Sequence, residues 1–134
     1  MKKTSVLIVA HGSRDKASLK QFRQLVALYR KKHPSWKIAY GYLELARPSL
    51  KEALAKMAKE CDRVVLLPHF LFDAVHVKKD IPRVVSEVRS RFPKVKFKIA
   101  RALGAHPSLL EVMENRVQET LGALSSGERR GEKA

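Results

Sequence analysis

The chain has 134 residues, 45% of them apolar and 31% charged, which is one ordinary globular domain and neither a disordered nor a collagenous chain. No apolar run approaches the roughly 20 residues that a helical membrane span needs, and the single cysteine, Cys61, excludes an internal disulfide or a multi-cysteine cluster. The 28 basic against 13 acidic residues leave a net charge of +15, which suits a polyanionic partner: nucleic acid, an acidic membrane or a multiply carboxylated small molecule. A thermophilic or high-salt lineage carries such a surface for unrelated reasons.

The N-terminal MKKTSVLIVAHGSR has two lysines and an apolar stretch too short for a secretory leader, with no small-residue cleavage site. It reads as a first strand, residues 4–10, in a cytoplasmic protein. Apolar residues at Leu19, Phe22, Leu25, Val26 and Tyr29 then mark a helix over about 15–32. Residues 36–43 are strand-like, and Pro48 opens a helix with Leu50, Ala53, Leu54 and Met57 on one face. RVVLLP at 63–68 is a second fully apolar strand. After a loop from His69 to Asp80, Asp80 and Pro82 begin a helix that stops near Phe92-Pro93. KVKFKIA at 94–100 alternates lysine with apolar residues, as an edge strand does. Pro107 starts a last helix carrying Leu109, Leu110, Met113, Val117 and Leu121, and a charged tail, 125–134, frays from a single domain over 1–124.

The β-α-β-α-β-α-β-α order specifies an α/β fold in three layers, a four-stranded parallel sheet with helices on both faces. The first and third strands are the most apolar and central, giving the order 2-1-3-4. The chain reverses direction between strands 1 and 3, and ligands bind in the crevice outside their carboxyl ends.

Two loops meet there. One begins with His11; the other runs from His69 to Asp80 and carries His76, so three of the five histidines converge. Neutral imidazoles with open positions suit cobalt, nickel, iron or zinc rather than magnesium or calcium. His11 has three readings: metal ligand, general base, or a polar turn residue beside Gly12, with Ser13 or Asp15 capping the helix. His69 reads as a packed, hydrogen-bonded residue, His76 as functional, and His33 and His106 as structural. The apolar segment before His76, with Arg14, Arg47, Lys78, Lys79 and Arg101 near the strand ends, fits a planar ligand rimmed by carboxylates, as a tetrapyrrole is.

AHGSRD, LELARPSL, LLPHFLFDAVHVKKDIP and ARALGAHPSLLEVM, from about Ser5 to Val117, resemble in order and spacing the small sirohydrochlorin cobaltochelatases of the CbiX type, class II chelatases whose short archaeal-type chains resemble half of a longer two-lobed chelatase. The resemblance implies a lyase that inserts Co2+ into sirohydrochlorin without ATP in anaerobic cobalamin biosynthesis, with Ni2+ or Fe2+ as alternatives. It implies that His11 and His76 are metal ligands, with His11 also the proton acceptor. It implies that Arg47, Leu71, Phe72, Asp73, Ala74, Val75 and His76 contact the tetrapyrrole, although some relatives carry an acidic residue at the position of Arg47. A homodimer is implied, with no cofactor beyond the substrate metal and no nucleic-acid or membrane partner.

Three other classes fit less well. Histidine phosphatases place arginine before the His-Gly pair, where this chain has Ala10, and a receiver domain needs an aspartate cluster at the first strand's end. A basic nucleic-acid-binding module lacks a recognition helix or an aromatic ribonucleoprotein motif here.

Overall fold

A computed structural model describes residues 3–72, 75–104 and 106–125, with the side chain of His76 outside that description. The alternation of strands and helices follows the sequence: β1 (Ser5–Ala10), α1 (Lys16–Lys32), β2 (Lys37–Tyr42), α2 (Leu50–Glu60), β3 (Arg63–Pro68), α3 (Ile81–Arg91), β4 (Lys96–Ile99) and α4 (Ser108–Ser125). The strands are parallel throughout and ordered β2-β1-β3-β4. The chain divides into two compact units, Met1–Leu103 with the whole sheet and Gly104–Ala134 with α4.

β1 is buried along its whole length because both its faces are covered. Leu7 and Val9 meet Leu50, Leu54 and Met57 of α2 and, through Val64, Leu66 and Phe97, Val85 and Val88 of α3. Val6 and Ile8 point the other way, onto Val26, Phe22 and Tyr29 of α1. Each such side chain removed from water contributes about 1.5–3 kcal/mol. β3 is central as expected but not buried on both sides. Val64, Leu66 and Pro68 are buried while Val65 is 40% exposed, because α1 packs over β1 and β2 and leaves that half of its face open. Leu25, part of the apolar stripe that marks α1, is exposed as well. β4 keeps the wet face its lysines announce, with Phe97 alone buried.

Helix starts follow local chemistry. Asp15 caps α1, its Oδ1 accepting the Ala17 N–H at 3.0 Å, while Ser13 Oγ accepts the Asp15 N–H at 2.9 Å. Ser49 caps α2 in a capping box with Glu52. Two expectations at the third helix are corrected. His76–Asp80 is not loop but a π-helical turn, and Asp80 makes no capping bond because the backbone is already helical when it reaches Ile81. Among the described residues no helix is long and apolar enough to cross a membrane.

Candidate active site

The crevice is built by carrying the sheet's register beyond its strands. Leu43 N–H donates to Ala10 O and Glu44 N–H to His11 O, both at 3.0 Å, so the β1–β2 ladder continues for two residues after the strands end. On the other side His69 N–H donates to Val9 O at 2.7 Å. Three consecutive strand exits thereby present Glu44, His11 and His69 side by side.

Gly12 sets the closeness. Its φ is +99°, and a Cβ there would lie 1.8 Å from the Glu44 carbonyl oxygen, so the segment after β2 rests directly on its backbone. That seating brings the Glu44 carboxylate to the imidazole: His11 Nε2 and Glu44 Oε1 are 2.9 Å apart, and His11 Nδ1 is 3.2 Å from Gly12 O. Both side chains are about half exposed to solvent. The pair has two uses. A carboxylate steadies an imidazole that has taken a proton. Alternatively, two donors each about 2.1 Å from a divalent transition ion and at right angles lie about 3.0 Å from each other, so the pair matches the bite of one metal ion.

His11 stands between two hollows. The larger, about 350 Å3, lies on the α1 side and is shared with His69, Phe22 and Tyr42. The smaller, about 130 Å3, contains Glu44 with Asp80 and Arg83, which are 3.4 Å apart. His69 packs its ring on Phe22 at 5.4 Å, and burial lowers its pKa below the ordinary 6.5, so it is neutral near pH 7. Among the described residues its ring has no hydrogen bond or ion pair, against the hydrogen-bonded core residue the sequence suggests. The Tyr42 hydroxyl is also buried without a hydrogen-bond partner among the described residues. Burial, then the neighbouring Tyr40, raises its pKa; the Arg23 guanidinium pulls the other way without reaching hydrogen-bond geometry.

The other expected site residues divide by what is described. Arg47 is exposed on the segment that carries Glu44, and Arg14, Lys78, Lys79 and Arg101 are exposed as well. Leu71, Phe72 and Val75 are all exposed, an unusual state for three large apolar residues within five positions. His76 opens the π-helical turn; its side chain, and Asp73 and Ala74 entirely, lie outside the described residues. His33 stacks on Trp36 at 3.7 Å, a structural role as expected. Glu44 is the residue the sequence reading missed. Its signal was the register: continuing the β1–β2 pairing from Ala10 opposite Tyr42 carries the chain to Glu44 beside His11 and Gly12.

The chain is a parallel α/β unit with an imidazole–carboxylate pair at its topological switch point, where proteins of this doubly wound class bind their ligands. The chain belongs to the CbiX family, whose model matches residues 5–120. It is 32% identical over 117 residues to the sirohydrochlorin cobaltochelatase of Sulfurisphaera tokodaii, covering 87% of this chain and 92% of the relative. Over the same length it is 32% identical to a chloroplastic sirohydrochlorin ferrochelatase of Arabidopsis thaliana, of which it spans only 52%. The solved CbiX protein from Marinobacter aquaeolei VT8 superposes with a TM-score of 0.75 at 26% identity, over 89% of this chain and 98% of that one. The match thus spans about half the length of the plant relative and nearly the full length of the other two.

Proposed function

We propose that this chain is a cytoplasmic metallochelatase, a single domain over 1–124, that inserts Co2+ into sirohydrochlorin without ATP in anaerobic cobalamin biosynthesis. The observation that carries the reading is the His11–Glu44 pair at 2.9 Å, a metal-sized bite at the crevice. Family membership and the exposed Leu71, Phe72 and Val75, an apolar wall for a planar macrocycle, support it. The metal is the finer step: relatives are named for cobalt and for iron, and imidazole with carboxylate suits Co2+, Ni2+ and Fe2+ alike.

In this reading His11 Nε2 and Glu44 Oε1 hold the incoming ion, and His76 joins them from the π-helical turn. Waters complete the coordination and are shed as pyrrole nitrogens replace them. The segment Leu71 to His76, Asp73 and Ala74 included, lies against the macrocycle, and Arg47 with nearby basic side chains pairs its peripheral carboxylates. When the ion leaves for the macrocycle, His11 Nε2 is vacated and takes a proton beside the Glu44 carboxylate.

The chain works as a homodimer. Supporting this, α4 carries three glutamates against one arginine in a chain of net charge +15, and its stripe of Leu110, Met113, Val117, Leu121 and Leu124 is exposed.

The test is visible absorbance of sirohydrochlorin mixed with purified protein and Co2+, Ni2+ or Fe2+, without ATP. Wild type should exceed the spontaneous rate with at least one metal. His11→Ala and Glu44→Gln should each lose about 100-fold or more, and His33→Ala should keep the wild-type rate. No acceleration by wild type, or equal loss in all three variants, overturns the assignment.

A further inference from the structure

Insertion of a divalent ion into a free-base tetrapyrrole breaks two pyrrole N–H bonds. Each electron pair stays on nitrogen and becomes a metal–nitrogen bond, and two protons need acceptors. While His11 Nε2 holds the ion it has no lone pair to offer, so it can receive only the second proton, after release. Another base must take the first.

Resting on the chelatase reading above, we propose that His69 is that base: it faces the hollow shared with His11 and accepts the first pyrrole proton from a macrocycle lying across the hollow's mouth. The placement is fixed by the sheet, through His69 N–H on Val9 O at 2.7 Å and the ring on Phe22 at 5.4 Å. The hollow is about 350 Å3, large enough for water to carry the proton onward. The ring has no competing hydrogen bond among the described residues, and burial keeps it neutral near pH 7, with a lone pair available. Among the described residues the titratable and charged groups around it are His11 from the end of β1, Tyr42 from β2, Arg23 of α1 next to Tyr42, and Tyr29 and Lys32 of α1, which line a second hollow together with His69. Tyr42 stays protonated, since burial raises its pKa, and leaves the proton-accepting role to His69. The division is spatial: metal donors, His11 and Glu44, meet at the small hollow, and the base lines the large one.

The test uses His69→Phe and His69→Gln in the full chain, with sirohydrochlorin and whichever of Co2+, Ni2+ and Fe2+ gives wild type its greatest acceleration. Both should lower kcat by about 100-fold, leave KM for that ion unchanged, lose the acid limb of the kcat–pH profile, and recover in part with added imidazole. Thermal midpoints are measured alongside; if the Phe variant does not fold, the Gln variant and imidazole rescue decide. Folded variants with wild-type kcat and pH profile overturn the proposal. So does a raised KM for the ion at unchanged kcat, which makes His69 a metal ligand. A wild type inactive with all three metals removes the chelatase reading itself, whereas an active wild type with unaffected His69 variants removes only this role.

Discussion

Gly12 decides how close the two chemical groups come. A methyl group in place of its hydrogen would meet the Glu44 carbonyl oxygen at 1.8 Å, and a backbone atom cannot swing aside as a side chain can. Gly12→Ala should therefore displace the 43–48 segment, separate Nε2 from Oε1, and cost about 1–3 kcal/mol of stability besides. A thermal melt together with the insertion assay checks this: a folded variant with wild-type rate and midpoint contradicts it. His11 was legible in the sequence because topology alone puts the exit of the first strand at the crevice. Glu44 was not, since a glutamate in LELARPSL carries no local mark, and only the register of an edge strand brings it across. His69 was half legible. Pro68 and the apolar run around it rightly announced packing, but whether a packed ring also faces a hollow depends on how much of it α1 covers.

At the scale of elements, strand order and edge strands followed from apolarity, but burial did not. β3 looks as apolar as β1 yet leaves Val65 exposed on its second face, because burial depends on the helices overhead, which the strand's own residues do not encode. The π-helical turn was equally hidden, since HVKKD contains nothing that separates a widened helical turn from a loop. The start of α2 was partly legible: Pro48 placed it within two residues, while the capping box at Ser49 places it firmly. There the Glu52 carboxyl is held below its ordinary range by hydrogen bonding to the Ser49 backbone and side chain. Ser49→Ala should lower stability by about 1 kcal/mol, read as a shifted urea midpoint at unchanged slope. An unchanged midpoint would show that the cap contributes nothing net.

For the molecule as a whole, the proposed dimer puts a charge contrast to use: a basic chain with an acidic, apolar-striped terminal helix suits association between copies better than isolation. Wild type should run at twice the 15.2 kDa of one chain in light scattering at micromolar concentration. Met113→Glu with Val117→Glu should halve that mass without unfolding Met1–Leu103. A monomeric wild type refutes the dimer. The ladder that runs on from the β1–β2 pairing into His11 and Glu44 has one more consequence, for insertions and deletions. Losing a single residue from β2 turns every later side chain of that strand to the opposite face and moves the carboxylate off the imidazole in the same stroke. The sheet and the reacting groups cannot drift apart separately, so a change of length in β2 is at once a change at the site.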